Sequence, residues 1–316
     1  MSRRLPWTYT GSVFSASPQL IDCHLHLQAD ALWPHWPAVL ARARMQGVHG
    51  FVCNGTRETD WPRVLELARS EPDVLPCFGL HPWFVAERSE TWLQQLEQHL
   101  LAVPSAVGEI GLDRWLEPRD EAVQETVFRA QLELARHLQR PVMIHCVHAW
   151  GWLMDVLRSQ PPLPPGMLLH AYGGPVELIK PLADMGAYFS FGGSTLDEHT
   201  LRQREALPRI PADRLLLETD APFGRRDKAV ANSEIRNPKS EFAKVRLLTS
   251  TATKEDERCE QGWEGNEPAN LPAITRGIAS LLGCAEADLV AQNWRNAQRL
   301  FGHCFTSPRT TRFPIA

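Results

Sequence analysis

The sequence predicts an α/β chain folded as a (β/α)8 TIM-like barrel, and three observations predict it. Eight short β-like runs alternate with helical stretches, and eight is the number at which parallel strands with crossover helices close. Side chains able to ligate metal close or follow five of those runs: His24 and His26, Glu109, His145, His170 and Asp220. A barrel gathers such residues from distant sequence to the C-terminal ends of its strands. Finally, the turn after the first run is His24-Leu25-His26, where an open doubly wound sheet would place a Gly-rich phosphate turn.

Taken in order, residues 19–23 read as the first strand, 36–46 as a helix and 48–53 as the second strand. A helix at 60–69 leads to the third strand at 74–78. Helix 91–101 sets Trp92, Leu96 and Leu100 along one face at helical spacing. The fourth strand is 106–108, leading into Glu109. Helix 120–139 is the clearest: Val123, Val127, Ala130, Leu134 and Leu138 form its apolar stripe, and Asp120 stands as N-cap. Residues 141–144, 167–169, 186–191 and 214–217 supply strands five to eight. There is no internal repeat. The chain divides into a leader at 1–18 and one barrel at 19–316, with a charged insertion at about 225–265. That insertion carries Arg225-Arg226 and Lys254-Glu255-Asp256-Glu257-Arg258 and few large apolar residues, so it reads first as a solvated loop. Because it leaves from the C-terminal face, the alternative is a lid that brings Arg225 and Arg226 near the site.

Length and composition fit this reading. A chain of 316 residues holds one barrel of roughly 250 residues plus insertions. Hydrophobic content of 43% and charged content of 22% are those of a globular protein. The net charge of −4 excludes a global basic field, so any polyanion site must be local. Seven cysteines with no CxxC pair point to a reducing compartment rather than a disulfide framework. No apolar stretch reaches the roughly 18 residues that span a bilayer, and the N-terminus lacks an apolar signal core. A cytoplasmic location is expected, with a nuclear one as alternative. The leader has no acidic residue before Asp22, which leaves organelle targeting as a minor reading.

Each ligand candidate alone is weak, since a lone strand-end histidine is more often a satisfied polar group. His24 and His26 are stronger: strand residues i and i+2 share a face and can converge on one ion. Asp22 lies on the same side, either as an acceptor for an imidazole or as a turn cap. Glu109 would be costly to bury unpaired, and its two oxygens can bridge two ions about 3.5–4 Å apart. His145 and His170 could complete the second ion. Asp220 follows the eighth strand, next to the first in a closed barrel, where it could ligate the first ion and take the proton of an attacking water. Two divalent ions, two carboxylates and four neutral imidazoles leave about +2, which favours an anionic substrate such as a phosphodiester. Histidine and carboxylate ligands suit Zn, Mn or Fe, and Mg less well.

These motifs, in this order, resemble the TatD family of metal-dependent deoxyribonucleases among the amidohydrolase-like barrels. The resemblance rests on Asp22-Cys23-His24-Leu25-His26, Gly79-Leu80-His81-Pro82, Gly108-Glu109-Ile110-Gly111-Leu112-Asp113, Gln124 with Phe128, Pro141 to His145, His170 to Gly174, Glu218 to Pro222, Asn266-Glu267-Pro268 and Asn296 to Phe301. It implies a site of one or two metals that hydrolyses DNA phosphodiesters. His24, His26 and Asp220 would hold one ion, His145 and His170 the other, with Glu109 bridging. His81 would lie near the substrate phosphate; its bland reading is a turn residue before Pro82. Three departures stand out. Cys146-Val147-His148 replaces the family's usual Ser or Cys then Arg, Trp83 replaces a histidine, and the segment between Pro222 and Asn266 is long. Trp83 reads first as packing at the barrel mouth, with base stacking, worth about 1–3 kcal/mol, as the alternative.

The expectation is therefore a hydrolase, a deoxyribonuclease, using two divalent ions (Mg, Mn, Zn or Fe) and Asp220, Glu109 and His81 as catalytic residues. DNA is the expected partner, and no membrane is. One alternative is a barrel hydrolase of a non-phosphate ester or amide bond. Against it, many such sites carry a lysine where Glu109 stands. The other is a non-catalytic partner protein that retains the barrel.

Overall fold

The computed structural model describes residues 18–163, 166–223 and 265–306. The leader up to residue 17 and most of the charged insertion, with Arg225 and Arg226, lie outside the described residues. Eight strands run in one sheet in sequence order, each parallel to the next: β1 Leu20–Leu25, β2 Val48–Asn54, β3 Val74–Phe78, β4 Ala106–Asp113, β5 Val142–Val147, β6 Met167–Leu169, β7 Ala187–Phe191 and β8 Leu215–Leu217. Around them lie α1 Trp36–Met45, α2 Trp61–Ser70, α3 Trp92–Ala102, α4 Glu121–His137, α5 Trp150–Arg158, α6 Ile179–Asp184 and α7 Leu201–Ala206, followed by α8 Leu271–Leu282 and α9 Glu286–Thr306. The barrel is the fold that the alternation and the ligand spacing predict.

Two apolar clusters build it. The larger packs the outer strand faces against the helices. The smaller joins Val52, Leu75, Cys77, Ala106, Met143, Leu168, Tyr188 and Leu216 from inside the barrel to Ala297, Leu300, Phe301 and Cys304 of α9. Thus α9 lies across the N-terminal mouth, and Cys304 Sγ meets the Ser105 carbonyl at 3.3 Å just before β4.

Side chains close the seam between β8 and β1. Asn293 of α9 donates to the Ile21 carbonyl (2.9 Å) and accepts from the Leu217 N–H (3.0 Å). Asn296 donates to the carbonyls of Leu215 (2.8 Å) and Ala212 (2.9 Å). Above them Asp22 accepts from the Thr219 N–H (2.9 Å) and hydroxyl (2.5 Å). Higher still, the backbone takes over: Asp220 N–H reaches the His24 carbonyl at 2.9 Å and His26 N–H the Ala221 carbonyl at 2.7 Å. Edge groups that a ladder would pair are thereby satisfied.

Several elements differ from the sequence reading. Strand β4 continues to Asp113 and β5 to Val147, so Glu109 and His145 lie within strands rather than at their ends. Gly108 and Gly111 look like breakers, yet they are where β4 meets its neighbour most closely. A Cβ on Gly108 would sit 2.4 Å from Met143 Cβ; one on Gly111, where φ is +154°, would sit 1.9 Å from the His145 carbonyl oxygen. In α4 the buried face is Gln124, Val127, Phe128, Gln131, Leu132 and Ala135, rotated from the expected stripe. The two glutamines are buried because each bonds a strand end on both sides. Gln124 accepts from Asp113 N–H (2.8 Å) and donates to its carbonyl (2.9 Å). Gln131 does the same at Leu80, at 2.7 and 3.1 Å. Asp120 caps α4 as expected, accepting from Val123 N–H at 3.0 Å. Among the described residues the cysteines are free, and no helix is long and apolar enough to cross a membrane.

Candidate metal centre

All six candidate ligands converge above the barrel interior. His24 is the penultimate residue of β1, and His26 follows the strand on the same face. His26 Nδ1 meets the Asn54 carbonyl at 2.7 Å, so it carries the proton and leaves Nε2 as the free ring nitrogen. His24 Nε2 and His26 Nε2 are 3.2 Å apart. Each lies 3.4 Å from Glu109 Oε2, and they lie 3.8 and 3.6 Å from Asp220 Oδ1. Asp220 adopts a left-handed backbone, φ +57°, which aspartate tolerates better than most residues.

The other carboxylate oxygen of Glu109 faces a second group. Oε1 lies 2.8 Å from His170 Nε2, 3.1 Å from His145 Nδ1 and 3.3 Å from His81 Nε2. His145 turns its other nitrogen to Asp113, at 3.0 Å. The same Asp113 oxygen accepts from Trp83 Nε1–H at 2.7 Å. Asp113 Oδ1 accepts from the N–H groups of Trp115 (2.6 Å) and Leu116 (3.2 Å). His170 Nδ1 is 3.8 Å from Glu218, whose other oxygen takes the Ser190 hydroxyl.

His81 makes the turn contact that its bland reading expects. Its Nδ1 accepts from the Trp83 N–H at 3.2 Å, which shapes the turn, and its Nε2 is thereby turned to Glu109. Asp22 is a stitch between β1 and the segment after β8, not an acceptor for an imidazole. Trp83 packs against the core at the barrel mouth, as expected, and its indole N–H also bonds Asp113.

Electrostatics follow from burial and from these pairs. Burial, with the His170 ring beside it, pushes His24 down to about 3, and burial pushes His81 down to about 4. At His145 burial opposes protonation, but Asp113 and Glu109 outweigh it and raise the imidazole to about 9. His170 is raised likewise, by Glu109 and Glu218 against burial. Burial would raise Glu109, yet His170, His81 and His24 hold it well below the usual carboxylate range.

Metal ions fit these residues. The donors are imidazoles and carboxylates, and His24, His26 and Glu109 form one cluster and His81, Glu109 and His145 another. Glu109 Oε1 is buried and lacks a hydrogen bond although three ring nitrogens surround it. Ligands about 2.0–2.1 Å from a tetrahedral ion lie about 3.3 Å apart, close to the spacings found here. Asp113 and Glu218 were not among the expected site residues. Strand parity could have found Asp113, which shares the face of Glu109 within β4; Glu218 lies beyond β8, where parity gives no signal.

The sequence pattern described as "TatD related DNase" matches residues 21–302. The chain is 38% identical over 193 residues to "3'-5' ssDNA/RNA exonuclease TatD" of Edwardsiella piscicida, covering 59% of this chain and 73% of that protein. It is 34% identical over 269 residues to the protein of the same name from Erwinia tasmaniensis, covering 83% and 92%. It is 30% identical over 207 residues to "Uncharacterized metal-dependent hydrolase YabD" of Bacillus subtilis, covering 65% and 80%. Among solved structures, the TatD homologue YJJV of Escherichia coli k12 superposes with a TM-score of 0.75 at 24% identity, over 90% of this chain and 98% of that one, which shows a shared fold. On this evidence the chain belongs to the TatD-related DNase family and is a metal-dependent hydrolase.

Proposed function

We propose that this protein is a two-metal phosphodiesterase that shortens single-stranded DNA, or RNA, from the 3′ end, as the names of its relatives say of them. One observation carries the reading: the two oxygens of Glu109 face separate histidine groups, Oε2 toward His24 and His26 and Oε1 toward His145 and His170. A carboxylate so divided suits a bridge between two cations. In this reading His24, His26 and Asp220 hold the first ion and His145 and His170 the second. Bound divalent ions would generate hydroxide near neutral pH and neutralise charge on the attacking and leaving oxygens.

The chain's own residues supply the rest. Asp220 has the most exposed side chain of the six, at 22%, so it is the carboxylate that water reaches and the group that takes its proton. Asp113 fixes the His145 ring, and the Asn54 carbonyl fixes the His26 ring. His81 points Nε2 at Glu109, on the side where the phosphate would enter.

The test is direct. Purified protein is incubated with Mg²⁺, Mn²⁺ or Zn²⁺ and single-stranded oligonucleotides labelled at either end, beside the Glu109→Ala, Asp220→Asn double variant. Metal-dependent shortening from the 3′ end, abolished in the variant, with two ions per chain by elemental analysis, is the expected result. Cleavage of lactones or cyclic amides without oligonucleotide cleavage would overturn it.

A further inference from the structure

Trp115 is the only aromatic residue among the exposed large apolar side chains of the described residues, and it is 48% exposed. It stands two residues beyond β4, on the face where the candidate ligands converge. Its mount is rigid. The Trp115 and Leu116 N–H groups both bond Asp113 Oδ1, at 2.6 and 3.2 Å. Leu116 is buried. Just before them, Arg114 N–H continues the β4–β5 pairing to the Val147 carbonyl at 3.0 Å. The carboxylate that anchors the Trp115 backbone also holds His145, at 3.0 Å, and His145 in turn lies 3.1 Å from Glu109. Three short links therefore join an exposed indole to the bridging carboxylate.

The surroundings favour a base over a phosphate at this spot. Arg114 pairs with Glu121 at 3.1 Å, and Arg119 pairs with Glu121 at 3.2 Å and with Glu117. With Asp120 at the start of α4, three carboxylates outweigh the two guanidinium groups, so the loop offers a π face without net positive charge. Trp83, another tryptophan at this mouth, has its N–H turned inward to Asp113. Stacking on an aromatic face tolerates any base, whereas phosphate binding needs unbalanced positive charge.

We propose that Trp115 is a base-stacking platform that holds a nucleotide flanking the scissile phosphate of a single-stranded nucleic acid. The proposal rests on the phosphodiesterase reading of the metal centre. Full-length protein loaded with its activating metal is assayed on single-stranded oligonucleotides, comparing wild type with Trp115→Ala, Trp115→Leu and Trp115→Phe. Loss of one stack raises KM by about 5- to 140-fold, the 1–3 kcal/mol of base–aromatic stacking converted at tenfold per 1.4 kcal/mol. Trp115→Ala and Trp115→Leu should show that rise with kcat within about twofold, and Trp115→Phe should recover most of it. An abasic nucleotide walked along the cut end should raise the wild-type KM at one position and leave the Trp115→Ala KM unchanged there.

An unchanged KM in Trp115→Ala, with wild-type oligonucleotide cleavage intact, would overturn the platform alone. So would full retention by Trp115→Leu, which keeps apolar cover but has no π face. A change of sedimentation in Trp115→Ala without change of KM would assign the indole to an interface between copies and also overturn it. Wild-type protein that cleaves no oligonucleotide would bring down the phosphodiesterase reading and the platform with it. Trp115 is exposed, so the variants are expected to keep the wild-type thermal midpoint, which checks that KM reports binding and not unfolding.

Discussion

Asp113 organises the site from behind the residues that would touch metal. One of its oxygens receives Trp83 Nε1–H and faces His145 Nε2; the other receives two backbone N–H groups. Burial would raise its pKa, but His145 and Trp83 hold it below the usual range, so it stays ionised and orients the ring. Removing one donor tests this. Trp83→Phe should lower stability by about 1–2 kcal/mol in urea unfolding, because Asp113 loses a buried partner. It should also weaken metal binding by about tenfold in a metal titration, as changes behind a ligand do. An unaltered unfolding midpoint with metal affinity intact would reduce Trp83 to packing.

At the scale of elements, β4 is where the barrel sets its tolerance. Glu109 reaches the centre from mid-strand because Gly111 lets β4 close on β5. Gly111→Ala would drive a methyl to 1.9 Å from the His145 carbonyl oxygen, at a φ of +154° that L-residues rarely adopt. We expect a loss of about 3 kcal/mol, as in overpacked cores, together with weaker metal binding because His145 must shift. A variant with wild-type melting and metal affinity would show that the strands part without cost. The same elements show how much periodicity reveals. The eight strands and α1 to α4 were legible as alternation and spacing. The ends of β4 and β5 were not, since glycine and ionisable residues look like breakers until a neighbouring strand pairs them. The buried face of α4 is not legible either, because Gln124 and Gln131 are polar in sequence but sit in the core bonded to backbone at the end of β4 and just beyond β3.

At the scale of the whole molecule, side chains and two backbone bonds close the barrel at one seam. Asn293 stands in for a strand partner on both sides, at Ile21 and Leu217, and α9 seals the N-terminal mouth beneath. Asn293→Ala leaves an acceptor and a donor buried without partners, a loss of about 2–4 kcal/mol. The expected signature is faster amide hydrogen exchange at Leu217 than at β5, alongside a lower urea midpoint. Equal protection at both strands would mean that the seam closes without Asn293.

The sequence by itself determined the barrel, its strand count and the identity of the six converging side chains. Those depend on alternation, strand parity and the recurrence of His, Glu and Asp after apolar runs, all of which are local. Only the tertiary structure decided how they meet. The division of Glu109 between two histidine groups, the ring nitrogen each histidine presents, the grip of Asp113 and the exposure of Trp115 arise from neighbours far away in sequence. No spacing along the chain encodes which atom faces which across a closed sheet.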